Sequence, residues 1–442
     1  MYTPSPLHVG VHASTDDGGI NRQVLVLKEE VGMTTDRILR FIEERSAEII
    51  QFTSELIATP SETPPGDERK ITLLLVDRME QLGLTGSWIT SEVPEHPNLL
   101  YRLSGTGGDR TLLYVAHTDT KPVGDAAPQW STDPFQASIL DGRMYGLGAA
   151  DMKAAVAAFV YACAALKQMD PLAGDLLLAL IANEEGGSRY GAHYLCSKYG
   201  LKADMAVIGE PPGVNVEWEH IQLGCRGVCC FTIKVYGTQI HSSVSDRFGC
   251  INASVKLAEL LTRMRRELTF NFKPHPLCPN GVTLNLGVYL KGGVFFGVNP
   301  GYAEFGTDLR TVPGMCKADV ARDLEDFLNI CRKEDPSLCV EMEFAPPPLD
   351  WIAPTEVSSD LPIATALADA SQQVLGFRPP FGIYPACTDS PHFQDTAGIP
   401  TIPAYGAGII SVCHGANEWV GVESIIQACK IYALAAYDVL RA

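Results

Sequence analysis

The chain has 442 residues, of which 46% are hydrophobic and 19% charged, and its formal net charge is −18 at pH 7. A chain of this length is too long to fold around a single hydrophobic core, so we expect two domains. The composition is that of a globular protein rather than a disordered one. The negative charge argues against a nucleic-acid partner, which would require a basic face.

The sequence also indicates where the protein works. No stretch approaches the roughly 20 consecutive apolar residues of a membrane span, and the N-terminus lacks the regions of a signal peptide. The 13 cysteines are irregularly spaced, which is typical of reduced intracellular thiols. We therefore expect a cytoplasmic protein. Residues 1–32 are polar and without pattern, and they are expected to be a disordered extension that carries no chemistry.

Helices and strands alternate in residues 33–224. Apolar residues recur at helical spacing in "DRILRFIEERSAEIIQFTSELI" and "RKITLLLVDRMEQLGL", which flank the turn "SETPPGDE". The predicted strands that follow are "NLLYRLSG", "RTLLYVAHTD", "GDLLLALIANEE" and "ADMAVIGEPP", and the helices among them are "MKAAVAAFVYACAALKQM" and a segment near 190–199. This alternation predicts a mainly parallel α/β sheet, whose sites form beyond the carboxyl ends of the strands.

The pattern changes at residue 225. Through residue 345 it predicts the strands "CCFTIKVYG", "GVTLNLGVYLKGG", "YAEFGTDLRT" and "LCVEMEFAP" and the helices "NASVKLAELLTRMRREL" and "ADVARDLEDFLNICRK". The α/β pattern resumes in 346–442, which ends in the helix "VESIIQACKIYALAAYDVL". We therefore predict one α/β domain interrupted by an α+β insert.

Acids and histidines follow the predicted strands of the α/β part. The residues are His117 and Asp119 in "VAHTDT", Asp151 in "LGAADMK", Glu184 and Glu185 in "ANEEGG", Glu210 in "VIGEPP" and, far along the chain, His414 in "VCHGANE". Each alone has a structural explanation; Asp151, for example, precedes an Ala-rich helix as an N-cap would. It is improbable that separate structural explanations apply at every strand end, so the set as a whole favours a metal site. Histidine nitrogens and carboxylate oxygens are ligands that suit zinc.

Together with further motifs, these residues make the chain resemble the dinuclear zinc amidohydrolase family of aminoacylase, acetylornithine deacetylase, succinyl-diaminopimelate desuccinylase and carboxypeptidase G. The motifs, in order, are "SETPPGDE", "HTDTKP", "YGLGAADMK", "ANEEGG", "GEPP", "GTQIHSS", "GGVFFGVNP", "DLRTVPG", "CTDSPHF" and "CHGANEWV". The resemblance runs from about residue 38 to the C-terminus. It implies a zinc-peptidase-like catalytic domain and a ferredoxin-like lid through which the protein forms a homodimer.

The resemblance also implies ligands for two zinc ions per subunit, for which cobalt or manganese can substitute. His117, Asp151 and Glu210 would hold one ion. Asp151, Glu185 and His414 would hold the other, so that Asp151 bridges the two. The peptide bond after Asp151 is expected to be cis.

Catalytic roles follow from the same resemblance. Glu184 would act as the general base that accepts a proton from the attacking water and then delivers it to the leaving amine. Asp119 would orient His117 from behind, and His241 would stabilise the oxyanion, often from the partner subunit.

Three further residues are implied to contact the substrate. Asn299 and Arg310 would hold its free carboxylate, and Gly408 would offer a close backbone contact. The chain also departs from the usual family pattern around the bridging Asp, since Leu147 stands in place of an Arg and Ala154 in place of a Gly.

The implied activity is hydrolysis of the amide bond of a small-molecule N-acyl amino acid, as in a deacetylase or desuccinylase. A dipeptidase or carboxypeptidase and an N-carbamoyl amino acid hydrolase remain open on the same scaffold. An inactive metal-binding protein is disfavoured because neither Glu184 nor a ligand is lost. The "GTGG" at 105–108 lacks the complete dinucleotide-binding pattern, so a β-turn explains it better.

Overall fold

The computed structural model describes residues 17–441, with side chains from residue 31 onward. Its helices are α1 (Asp17–Glu44), α2 (Ser46–Ile57), α3 (Arg69–Gln81), α4 (Ala154–Lys167), α5 (Ala192–Tyr194), α6 (Ala253–Glu267), α7 (Lys317–Glu334), α8 (Pro362–Leu375) and α9 (Val422–Leu440). Its strands are β1 (Trp88–Thr90), β2 (Asn98–Leu103), β3 (Thr111–His117), β4 (Ser138–Leu140), β5 (Arg143–Tyr145), β6 (Asp175–Ile181), β7 (Met205–Ile208), β8 (Ile221–Cys225), β9 (Gly227–Tyr236), β10 (Ile240–His241), β11 (Thr283–Gly292), β12 (Val298–Asn299), β13 (Tyr302–Thr311), β14 (Cys339–Phe344), β15 (Thr355–Glu356), β16 (Phe381–Tyr384), β17 (Thr401–Ile402) and β18 (Trp419–Gly421).

The N-terminal segment differs from the sequence-based expectation. Helix α1 already begins at Asp17, so the helix crosses the boundary that we predicted at residue 32. The segment 21–31 contains no proline, and six of its eleven residues are Leu, Glu, Arg or Gln, which favour helix formation. Residues 1–16 of the predicted extension lie outside the described residues.

The central sheet has the order β1-β2-β6-β3-β7-β17. Strand β3 pairs in parallel with β6 and β7, and β17 pairs in parallel with β7. The outer strands β1 and β2 run antiparallel. The predicted mainly parallel sheet is therefore confirmed, with an antiparallel edge.

Helices α4 and α9 pack against each other and against this sheet. Every residue of α4 from 154 to 166 is buried, and its alanines allow neighbouring elements to approach closely. Phe159 of this helix stacks on Tyr114 and Tyr432, with ring centroids 4.5 and 4.1 Å away. The Tyr114 hydroxyl donates a hydrogen bond to the Tyr432 carbonyl oxygen at 2.6 Å, which satisfies the buried phenol.

One described helical stretch, Ala149–Lys167, is long and apolar enough to cross a membrane by length and composition. This stretch has 19 residues, one fewer than the roughly 20 residues of a membrane span. The expectation that no stretch of the sequence approaches this length was therefore wrong. Residues 149–166 of this stretch are buried inside the protein, as in the core helix of a globular domain.

Residues 227–344 form the insert. Strands β9, β11, β13 and β14 make an antiparallel sheet in the order β11-β13-β9-β14. Helix α6 connects β9 to β11, and α7 connects β13 to β14, which gives the β-α-β-β-α-β order of a ferredoxin-like fold. Its hydrophobic core is separate from that of the α/β part.

Two small three-stranded sheets were not predicted from the sequence. Their orders are β15-β8-β16 and β18-β5-β4. Each strand has only two to five residues, so no alternation of apolar and polar residues is long enough to recognise. These sheets join segments that are far apart in sequence.

The aromatic stack around Phe159 gives a stability prediction. Replacing Phe159 by Ala leaves a cavity between Tyr114 and Tyr432, and we expect the free energy of unfolding to fall by about 3–5 kcal/mol. Denaturant titration followed by tryptophan fluorescence measures this change. Phe377→Ala is the control: this side chain is 49% exposed, and its loss should change stability by no more than about 0.5 kcal/mol. Equal effects of the two substitutions would contradict the packing described.

Candidate metal centre

The predicted ligands converge at the carboxyl ends of the parallel strands. His117 is the last residue of β3, and Glu185 and Glu210 follow β6 and β7. Asp151 precedes α4, in a turn that begins at Gly148 with φ +74°. A Cβ atom at Gly148 would lie 2.4 Å from the Thr120 methyl group, so glycine is required there.

Asp151 lies between two histidines. Its Oδ1 is 2.9 Å from Nε2 of His117, and its Oδ2 is 3.1 Å from Nε2 of His414. The peptide bond between Asp151 and Met152 is cis, as expected. One carboxylate thus presents a different oxygen to each histidine, which is the arrangement that a bridging ligand needs.

The two remaining predicted ligands complete the cluster. Glu210 Oε1 lies 3.4 Å from Nε2 of His117, and Glu185 Oε1 lies 3.1 Å from Nε2 of His414. Ligand atoms of His117, Asp151 and Glu185 all lie within 4.8 Å of one another, as do those of His117, Glu184 and Glu210. The five predicted ligands and Glu184 therefore form one cluster.

Asp119 orients its neighbours in two ways. The Nδ1 of His117 donates to the Asp119 carbonyl oxygen at 2.9 Å, which leaves Nε2 to face the acids. The Asp119 carboxylate accepts hydrogen bonds from the backbone amides of Glu184 and Glu185, each at 3.1 Å. The contact to His117 is thus made by the Asp119 backbone, with the carboxylate oxygen Oδ1 3.8 Å from Nδ1, and the sequence did not predict the anchoring of the double Glu.

The cluster contains more acid than base. Burial raises the pKa of Asp119 and of Glu210 to about 7. It also raises the pKa of Glu184 well above its usual value. Hydrogen bonds to Asp151 and Glu185 raise the pKa of His414 to about 10. Carboxylates gathered in this way are stabilised by a cation, and their oxygens together with two imidazole nitrogens suit divalent metal ions.

Lys121 is a neighbour of the cluster that the sequence did not single out, although it is part of "HTDTKP". Its Nζ lies 3.1 Å from Glu185 Oε2, and its backbone N–H donates to Glu185 Oε1 at 3.2 Å. The ammonium of Lys121 thus partly neutralises the Glu185 carboxylate. Glu185 and His414 belong to the more exposed of the two predicted ligand sets, since the side chain of His414 is 49% exposed and that of His117 only 1%.

Glu418 was also missed, although "CHGANEWV" contains it. Its buried carboxylate accepts hydrogen bonds from the backbone amides of Gly148, Ala150 and Asp151 at 3.1, 2.9 and 3.1 Å. Burial raises the pKa of Glu418 to about 8. Glu418 thereby fixes the turn that carries the bridging Asp151, and only the fold brings the two together.

A cleft of about 590 Å³ contains the cluster. Asp151, Glu184, Glu185, Glu210 and His414 line it, and so does Arg310 of the lid strand β13. The guanidinium donates to Asp308 at 3.0 Å, which steadies it on the strand surface. The α/β domain and the lid therefore contribute to one cleft, with a cation suited to a carboxylate.

His241, the predicted oxyanion stabiliser, and Asn299, a predicted substrate contact, do not line this cleft. His241 is exposed and pairs with Val298, next to the pair of Ile240 and Asn299. Asn299 is buried, and its amide donates to the carbonyls of Thr238 and Ile251 at 2.7 and 3.1 Å. Within one chain, these two residues shape a loop of the lid.

Gly408 approaches the turn of the bridging acid. Its φ is +100°, and a Cβ atom there would lie 2.8 Å from the Ala150 Cβ. Its backbone N–H donates to Glu217 at 3.1 Å. Glycine is required here for packing beside Asp151, while a contact to substrate stays a prediction.

Fold and site together define a two-domain hydrolase scaffold with a dinuclear-type ligand cluster. Residues 113–438 match the model of peptidase family M20/M25/M40, and the chain belongs to that family. This confirms the family that the sequence motifs indicated.

Curated relatives cover most of the chain. A succinyl-diaminopimelate desuccinylase from Parvibaculum lavamentivorans is 29% identical over 87% of this chain and 93% of its own length. An acetylornithine deacetylase from Proteus mirabilis is 30% identical over 85% of this chain and 92% of its own length. The similarity therefore includes both domains.

Solved structures share the fold. Human carnosine dipeptidase 1 superposes with a TM-score of 0.68 and 18% identity, covering 92% of this chain and 99% of its own. A dinuclear metal-binding peptidase of the M20 family from Bacillus subtilis has a TM-score of 0.61 and 14% identity, covering 90% and 99% of the two chains. The predicted combination of catalytic domain and lid is confirmed as a fold.

The role of Glu418 can be tested through metal affinity. Glu418→Ala leaves three buried amides without their acceptor and frees the Asp151 turn, so we expect metal affinity to fall about 10–100-fold. Competition with a chromophoric chelator measures it. Glu423→Ala, at an exposed position of α9, is the control and should retain wild-type affinity. Unchanged affinity in Glu418→Ala would show that the turn holds Asp151 without it.

Proposed function

We propose that the protein is a metal-dependent hydrolase of the amide bond in N-acyl amino acids. The observation that carries the proposal is the position of Asp151 between His117 and His414, in a cleft that also contains Glu184 and Arg310. A shared carboxylate suits two metal ions, Glu184 supplies a base, and Arg310 suits the substrate's free carboxylate.

The metal centre takes two ions per subunit in this proposal. His117, Asp151 and Glu210 would hold one, and Asp151, Glu185 and His414 would hold the other. We propose zinc, with cobalt or manganese as substitutes, because nitrogen and carboxylate oxygen ligands suit these ions. Ions bound there supply a water of lowered pKa and polarise the substrate carbonyl.

Glu184 moves the proton in the reaction. Burial raises the pKa of this carboxyl group. Glu184 accepts the proton of the attacking water and delivers it to the leaving nitrogen. Asp119 holds the Glu184 amide, so the base keeps its position during the transfer.

The names of the curated relatives support N-acyl amino acid hydrolysis, since one relative is a desuccinylase and the other a deacetylase. Peptide hydrolysis is the second candidate, because a structural neighbour is a dipeptidase. The two reactions use the same water, base and cleft and differ in the acyl group that the substrate carries.

A substrate panel with a base-deficient variant tests the proposal. Wild-type protein loaded with zinc should release amine from one class among N-acetyl, N-succinyl, N-carbamoyl and dipeptide substrates. Glu184→Gln should reduce kcat at least about 100-fold, because the amide cannot accept the proton. Glu44→Gln, at an exposed position of α1, is the matched control. Full activity of Glu184→Gln would exclude Glu184 as the base.

We also propose that the lid forms a homodimer. Strand β11 is an edge strand, and its second half is exposed. The adjacent loop exposes Val294, Phe295 and Phe296 by 72, 77 and 93%. Edge strands and exposed apolar side chains of this kind are covered in stable proteins, and a second copy would cover both.

His241 is suited to act across this dimer. Its Nδ1 accepts a hydrogen bond from the Ser243 backbone N–H at 3.2 Å, so the neutral ring carries its proton on Nε2. Such an N–H can stabilise an oxyanion. Since His241 does not line the cleft of its own chain, we propose that it reaches the cleft of the partner subunit.

Subunit mixing tests the shared site. His241→Ala and Glu184→Gln homodimers should each be inactive. In a random mixture, half of the molecules are heterodimers with one intact site, so about one quarter of wild-type activity should return. Mixing two differently tagged subunits and co-purifying the mixed dimers controls for exchange. An inactive mixture that contains heterodimers would exclude action of His241 across the dimer.

A cytoplasmic location is proposed as well. All 13 cysteines are free, which suits a reducing compartment.

A further inference from the structure

A second cavity of about 370 Å³ opens beside the main cleft. Glu184, Gly187, Pro348 and Cys387 line both cavities, so they form a common mouth next to the proposed base. We call the second cavity the side pocket. Its volume lies within the range of about 300–1,000 Å³ for small-molecule sites, and neither a metal ligand nor Arg310 lines it.

The side pocket has apolar walls and a polar end without a cation. Trp351, Ile352 and Pro391 give the apolar surface, and Thr388, His392 and Asp395 add polar groups. No Lys or Arg is among the described residues that line it. Burial lowers the pKa of His392, which favours a neutral ring.

The surroundings of the pocket are acidic too. Ser188, which lines the pocket, donates a hydrogen bond to the buried carboxylate of Asp389. No Lys or Arg within the described part of the chain forms an ion pair with Asp389. A substrate carboxylate in the side pocket would therefore lie beside the carboxyl groups of Glu184 and Asp395, and no Lys or Arg among the described lining residues balances its charge.

The position of the mouth indicates which part of a substrate enters. In the proposed function, Glu184 protonates the leaving nitrogen, so the group on that nitrogen lies next to the mouth. In an N-acyl amino acid, this group is an α-carbon that bears both the carboxylate and the side chain. With the carboxylate directed to Arg310 in the main cleft, the side chain is left to enter the side pocket.

We propose that the side pocket binds the side chain of the released amino acid and selects against acidic side chains. This inference rests on the proposed function and narrows it to N-acyl amino acids with a neutral or basic side chain. The pocket is lined by residues of the α/β domain and of the segment 346–354, whose Ile352 exchanges backbone hydrogen bonds with Val228 of the lid strand β9.

A pair of substrates that differ only in charge tests the selectivity. Wild-type kcat/KM for N-acetylglutamine should exceed that for N-acetylglutamate at least about tenfold, because the two side chains match in size and like charges repel. Asp395→Asn should reduce this ratio, and Asp360→Asn, at an exposed position, should leave it unchanged. If the panel identifies succinyl as the acyl group, the N-succinyl pair replaces the N-acetyl pair.

Filling the pocket tests the location. Ala353→Phe should lower kcat/KM for N-acetylmethionine at least about tenfold more than for N-acetylglycine, since only the larger side chain needs the space. Thr396→Phe fills the pocket from another wall and guards against misfolding of the first variant. Ala127→Phe, at an exposed position outside both cavities, is the control.

The possible results separate the two proposals. Hydrolysis with equal kcat/KM for the glutamine and glutamate substrates, or equal losses for methionine and glycine substrates on filling, overturns the side-pocket inference and leaves the proposed function standing. Absence of hydrolysis for every N-acyl substrate by metal-loaded protein overturns the proposed function and, with it, this inference.

Discussion

The structure of the site depends on one carboxylate with two neighbours. Asp151 presents its two oxygens to His117 and His414, residues almost 300 positions apart in the sequence. That arrangement requires a fixed conformation of the turn before α4. Glu418 fixes this turn because its carboxylate accepts hydrogen bonds from three backbone amides. Because Glu418 lies only four residues after His414, one short segment supplies both a predicted metal ligand and the support of Asp151. A buried carboxylate that accepts hydrogen bonds from several backbone amides stabilises the fold through each of these bonds.

The parallel sheet explains why these residues meet. Strands β6, β3 and β7 are neighbours, so whatever follows them in sequence gathers at one edge. This rule can be applied to a sequence, and it was sufficient to predict His117, Glu185 and Glu210 as neighbours. Asp119 shows the limit of this rule. The sequence identifies Asp119 as a neighbour of His117, but the hydrogen bonds that its carboxylate accepts from Glu184 and Glu185 depend on the loop conformation.

What the sequence could not supply is mostly long-range. The two small sheets consist of strands too short to show a periodic pattern, and apart from the β4–β5 hairpin their partners lie far away along the chain. Lys121 and Glu418 stand inside motifs that were quoted, yet their roles arise from contacts with Glu185 and with the Asp151 turn. The start of α1 at Asp17 was missed because charged and polar residues obscured its helical character. His241 and Asn299 carry a recognisable motif, but the single chain places them away from the cleft.

The location of Arg310 on the lid has a consequence for how binding energy is used. The groups proposed for chemistry belong to the α/β domain, whereas the cation for the substrate's carboxylate belongs to the other domain. A ligand that spans both contacts links the two domains, and its carboxylate then stabilises one relative arrangement of them. Binding energy from a part of the substrate remote from the scissile bond is in this way available to organise the reacting centre rather than only to retain the molecule. A substrate fragment without the carboxylate would lose turnover as well as affinity, and the lid would act as a sensor of that group.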